Sequence, residues 1–119
     1  MQRKKANANI QIDNERIRVT EYSFDDNEET GFHVHQWDYV VIPQTNGKLL
    51  LIDENDVETT ATLVKGQPYY REAGVSHNVI NNGKEKLVFI ELEIKAHSIW
   101  KYILTSRFFF IRISKIDVM

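Results

Sequence analysis

The sequence predicts an all-β fold, a sandwich or closed barrel of short strands, on three observations. Apolar residues recur at every second position in runs of four to eight. Clusters of turn-forming residues separate these runs at near-regular intervals, and no convincing amphipathic helix precedes residue 96.

Taken in order, residues 1–8 read as a polar, solvated tail. Ile10 and Ile12, then Ile17 and Val19, then Tyr22 and Phe24 give the first alternating runs. Asp25-Asp26-Asn27-Glu28-Glu29-Thr30 reads as an acidic surface loop. Further strands are expected at Phe32–His35, Tyr39–Ile42, Lys48–Asp53, Glu58–Leu63, His77–Ile80 and Leu87–Ile94. Turn chemistry fills the gaps, with Asn46-Gly47 and Asn82-Gly83 carrying the strongest short hairpin signal because both residues tolerate positive φ. The last stretch, Ala96–Met119, changes character: Trp100, Ile103 and Leu104 suit one helical face, whereas Phe108–Ile113 reads equally well as a strand. It reads as an appendage that covers its apolar surface on the barrel or on a second subunit, or else as a tail without function.

Composition bounds the function. A chain of 119 residues fits one domain, and 42% hydrophobic with 27% charged residues is ordinary for a soluble protein. A formal charge of −2 gives no electrostatic reason to expect nucleic acid or an anionic membrane as partner. The start of the chain lacks an apolar signal core, and no run approaches the ~20 apolar residues that span a bilayer. A cytoplasmic protein is expected. With no cysteine, disulfides and thiolate chemistry are excluded, so any metal must take its ligands from histidine, carboxylate, carbonyl or water.

Three of the four histidines, His33, His35 and His77, then draw interest. On a strand, positions i and i+2 share a face, so His33 and His35 present two imidazoles side by side, with Phe32 and Val34 opposite. Neutral imidazole is the commonest protein ligand for Zn, Fe, Ni and Cu. His-x-His alone is weak evidence, and two ordinary strand histidines are the bland alternative. His77 opens another strand just after a turn-like segment containing Gly74. His97 reads as a surface histidine.

The segment from Gly66 to Asn81 resembles the second sequence motif of the cupin superfamily. Gly66, Gly74, His77 and Asn81 fall in register, with Glu72 where the family usually has proline. The segment from His33 to Gly47 resembles the first motif, which has two histidines, a glutamate four residues beyond the second, and a glycine at the next turn. Here Asn27 stands where a glycine usually precedes the histidines, Gly47 lies one residue further on than usual, and Tyr39 occupies the glutamate position. Asp38 falls on the other face by strand parity unless a bend at Gln36-Trp37 resets the register. The runs His33-x-His35-x-x-Asp38-Tyr39, Arg71-x-Ala-Gly-Val-x-His77 and Phe89-Ile-Glu-Leu-Glu93 are similar to small single-domain cupins associated with β-alanine degradation, over roughly residues 9–95.

This resemblance implies a cupin double-stranded β-helix, or jelly-roll barrel, over residues 1–95, with a C-terminal extension over 96–119. It implies one divalent metal ion (Fe, Mn, Ni or Zn) on His33, His35 and His77, with Tyr39 pointing toward the metal or its water. It also implies a homodimer and a small-molecule ligand. The expected function is a metal-dependent dioxygenase, lyase or isomerase acting on a small organic acid or amino-acid derivative. The alternatives are a non-catalytic metabolite-binding cupin, serving as sensor or accessory protein, and a degenerate cupin without metal. Loss of the usual carboxylate favours anionic substrates at the ion. Tyr39 and Arg71 are the candidate catalytic residues, Arg71 through bidentate recognition of a carboxylate. Tyr69 and Tyr70 are alternatives, with packing as their ordinary role. Glu91 or Glu93 becomes a candidate general base if their shared face is the barrel interior. Trp37 reads as ordinary rim packing, with a cover over the mouth of the site as the alternative.

Overall fold

The computed structural model describes residues 2–95. His97 and the whole 96–119 extension expected from the sequence lie outside the described residues.

Nine strands follow one another, β1 (Asn7–Asp13), β2 (Ile17–Phe24), β3 (His33–Val34), β4 (Asp38–Pro43), β5 (Gly47–Asp53), β6 (Glu58–Leu63), β7 (Tyr69–Arg71), β8 (Ser76–Asn81) and β9 (Leu87–Ile94), and no helix occurs among the described residues. They form two antiparallel sheets, ordered β1-β2-β9-β4-β7 and β3-β8-β5-β6. This is the double-stranded β-helix expected from the sequence. β6 and β9 have the bounds that alternation predicts, whereas β7, only three residues long, is absent from the sequence reading.

The Asn-Gly pairs do something other than expected. Neither closes a hairpin: β4 pairs with β7 and β9, not β5, and β8 pairs with β3 and β5, not β9. Asn46-Gly47 and Asn82-Gly83 are therefore corners where the chain passes between sheets. Gly47 is needed at its corner because a Cβ there would come within 2.5 Å of Leu87 Cδ1. The true hairpins are β1–β2 and β5–β6, each turned by an Asx side chain. Asn14 Oδ1 accepts the N–H groups of Arg16 and Ile17, and Asp53 Oδ1 accepts those of Asn55 and Val57.

The acidic loop is more than a solvated surface. Glu29 bridges by backbone to Lys5 on one side and Ile80 on the other. Its carboxylate accepts from Asn78 Nδ2 at 2.9 Å and pairs with Lys5 at 3.4 Å. Asn27, at the position where a glycine is usual, has φ +62, a left-handed conformation that Asn tolerates better than most residues.

The interior is layered, and register defines the layers. Arg71, Tyr39, Glu93 and Arg18 are mutual partners across one sheet, at the level where His33 and His77 pair in the other. One step down, Tyr69, Val41, Glu91 and Thr20 align, as do Val79 and Leu51 in the other sheet. Below these come Pro43, Phe89 and Tyr22, with Leu49 and Ala61 opposite. Phe24 and Leu87 pair at the bottom, where Leu63 is also buried. Full burial of a Leu or Phe side chain stabilises by about 1.5–3 kcal/mol, so the lower layers hold the barrel together. Tyr22, Phe24 and Phe89 form an aromatic cluster there, with ring centroids 5.4–6.4 Å apart.

Candidate metal centre

The upper layer gathers the histidines from two neighbouring strands and a corner. His33 in β3 faces His77 in β8 as a direct cross-strand pair. His35 lies just beyond β3, held by its N–H to Val75 O and by Gly74 N–H to its own carbonyl, both 2.8 Å. Gly74 has φ +101, so the motif glycine supplies the backbone turn that lets this clamp form. After His35 the chain crosses at Gln36-Trp37 from one sheet to the other. The bend at Gln36-Trp37 therefore exists, and His33, His35 and Tyr39 do not lie on one continuous strand. The residues share the interior because the chain turns a corner between them.

The three imidazoles converge through Nε2, with His33 to His35 at 3.0 Å and His35 to His77 at 3.3 Å. Two nitrogens bound ~2.1 Å from one ion lie ~3.0 Å apart at a right angle and ~3.4 Å apart at the tetrahedral angle. These two spacings thus match those around a single ion, and all three ligand atoms lie within 4.8 Å of one another. His33 Nδ1 lies 2.9 Å from Gly31 O, a geometry that places the proton on Nδ1 and leaves the Nε2 lone pair facing inward. Gly31 is itself fixed by its N–H to Asn78 Oδ1 at 3.0 Å. His35 is 5% exposed, and burial, followed by its neighbours His33 and His77, holds its pKa down at about 3. Burial, with His33 and Arg71, holds His77 at about 4. Both rings are neutral at neutral pH, the form that binds metal.

Tyr39, at the usual glutamate position, lays its ring flat on His35, with centroids 3.8 Å apart and planes 15° from parallel. Burial, then the nearby Glu91, raises its pKa, so it remains a phenol and a donor. Glu91 and Glu93 both face the interior. Glu91 is 6% exposed and brings Oε1 to 3.8 Å from His35 Nδ1, behind the ring. Burial, then Glu93, pushes Glu91 up to about 8; Glu93 is also raised by burial. One ligand atom from each of His35, Glu91 and Glu93 lies within 4.8 Å of the others, forming a carboxylate cluster beside the histidine cluster.

Below the histidines lies a cavity of about 120 Å³, lined by Tyr39, Tyr69, Arg71, His77 and Glu91 in the upper two layers and by apolar side chains elsewhere. Arg71 stands at its edge, stacked over Tyr69 at 4.6 Å and donating to Tyr70 O at 2.9 Å. Trp37 is not at the cavity: its ring contacts Arg18 and Lys95 at 5.3 and 5.2 Å, and both cations pair with Asp13. Asp38 turns outward and accepts Ala73 N–H at 2.8 Å, bracing the turn before β8. Asn81 is architectural. Only 1% exposed, it donates to Phe24 O, Asp25 O and Glu85 O and accepts from Gly83 N–H. The supporting roles of Gly31 O and Asn78 were missed in the sequence, since neither stands out by periodicity or chemistry.

No protein-family model matches the chain. It is 50% identical over 86 residues to the β-alanine degradation protein BauB of Pseudomonas aeruginosa, covering 72% of this chain and 90% of that protein. Among solved structures, a cupin domain from Bordetella pertussis Tohama I is 49% identical, with TM-score 0.77, over 81% of this chain and 99% of that one. A cupin superfamily protein from Desulfitobacterium hafniense is 14% identical with TM-score 0.60, over 79% of this chain and 81% of that one, a likeness of fold alone. With three histidines gathered inside a double-stranded β-helix and half of the 86 aligned residues identical to BauB, this chain belongs to the family of small cupins related to the β-alanine degradation protein.

Proposed function

We propose that this cupin holds one divalent metal ion on His33, His35 and His77 and acts on a small carboxylic acid in catabolism. The observation that carries this reading is the convergence of three Nε2 atoms at 3.0 and 3.3 Å above a cavity. The bound ion would supply a Lewis acid, an acidified water or, as Fe(II), a means of activating dioxygen. Arg71 at the cavity edge pairs with the substrate carboxylate, and the protonated Tyr39 hydroxyl donates a hydrogen bond to it. Gly31 O, through Nδ1, holds the His33 ring in its binding tautomer, and Glu91 stands behind His35. The relative's name points to the breakdown of β-alanine as the setting, and a homodimer in the cytoplasm is the expected state.

Acetate and acetamide are titrated by calorimetry into the chain with and without Zn(II), a redox-silent ion. The expected result is acetate binding only to the loaded chain and at least ~tenfold more tightly than acetamide, since a carboxylate gains charge-assisted contacts that an amide lacks. Equal affinity for the two, or acetate binding that ignores the metal, overturns the reading.

A further inference from the structure

The cavity beneath the histidines is chemically divided. Its upper edge carries Arg71, Tyr39 and His77, while Val41, Leu49, Leu51, Ala61, Val79 and Phe89 line the second and third layers. Glu91 is the one carboxylate in the lining, and it stands 3.8 Å from His35 Nδ1. The third layer offers a ligand no charge of either sign: Leu49 and Phe89 are 2% and 3% exposed and belong to the hydrophobic core.

We propose that the site selects acids with an uncharged aliphatic tail, about three to five carbons reaching down from the carboxylate, and rejects acids with a charged far end. This rests on the reading that the carboxylate binds at the metal and Arg71. Size supports it, because an apolar cavity of ~150 Å³ accepts benzene and this one measures about 120 Å³. Polarity supports it as well. A methyl group placed against Val79, Leu49 and Phe89 leaves water favourably, whereas an ammonium there loses its hydration and finds no acceptor in the third layer. The substrate is then an acid without the amino group, in the class produced or consumed when an amino acid has lost its nitrogen.

Butyrate and β-alanine make the decisive pair, since they are isosteres that exchange a terminal methyl for an ammonium. Acetate, propionate, butyrate, valerate and β-alanine are titrated into the Zn(II)-loaded chain. Affinity should rise about three- to fourfold per methylene up to the capacity of the cavity, and butyrate should bind at least ~tenfold more tightly than β-alanine. Ala61→Leu, which fills the third layer, should narrow the butyrate-to-acetate ratio, and Val79→Thr, nearly isosteric, should do so if the first variant fails to fold. A flat series in which acetate still binds would overturn this inference and leave the carboxylate reading standing. β-Alanine binding as tightly as butyrate would also overturn it, assigning Glu91 to an ammonium. Failure of acetate itself to bind would overturn both.

Discussion

The upper and lower halves of this barrel are built from the same strands and differ in almost everything else. On β9 the inward residues run Glu93, Glu91, Phe89, Leu87, and on β4 they run Tyr39, Val41, Pro43. Two steps along a strand carry the interior from paired carboxylates to a fully apolar floor. The lower half is apolar core, with the cavity reaching only its top layer at Leu49, Ala61 and Phe89. The upper half buries Glu91, His35 and two tyrosines at a cost in desolvation, with their pKa values displaced accordingly. The lower layers supply the stability that lets the upper layers hold unfavourable groups in place, and a strand's two-residue period is enough to separate the tasks.

That division can be broken from below. Phe24, with no exposed surface, sits against Leu87 and Phe89. Phe24→Ala should cost about 3–5 kcal/mol in urea unfolding while leaving the metal content of the folded fraction unchanged. A cost under ~1 kcal/mol would show that the floor does not carry the fold.

From above, the lever is pH. In the metal-free chain the folded pKa values of His35 and His77 lie below the ordinary 6.5, so the unfolded chain takes up protons first. Their contribution is complete above about 6.5 and is lost as pH falls toward 4 and then 3. Urea unfolding should therefore reveal a loss on the order of 2 kcal/mol per histidine between pH 7 and pH 5, partly offset by Glu91, and loading with Zn(II) should flatten it. Glu91 acts with the opposite sign, since its raised pKa favours folding below about 4.5 and withdraws that as pH rises through 8. Glu91→Gln should accordingly gain stability over the parent at pH 8.5. The smallest effect is at the surface: Asp38→Ala removes the acceptor of Ala73 N–H and should cost about 1 kcal/mol with no change in metal content.

Much of this architecture was legible in the sequence because period-2 alternation survives wherever one strand face is buried. β6 and β9 were bounded correctly on that signal alone, and the spacing of Gly66, Gly74, His77 and Asn81 marked a turn and a strand that both exist. Topology was harder. An Asn-Gly pair specifies a tight reversal but not which strand it leads to, so both were read as hairpins when they are corners between sheets. β7 escaped because Tyr69-Tyr70-Arg71 is too short to reveal a period. For the site, the histidines could be picked out by type and spacing. The carbonyl of Gly31, the amide of Asn78 and the inward side of Glu91 could not, because they depend on which strands become neighbours.

A single metal ion held on three imidazoles is tested most directly by the ratio of metal to chain. Protein purified without a histidine tag, loaded with Zn(II) and desalted, should hold one ion per chain by elemental analysis. His77→Ala, still folded by its urea transition, should hold almost none. A parent chain that retains no metal, or a His77→Ala chain that retains as much as the parent, would contradict the account.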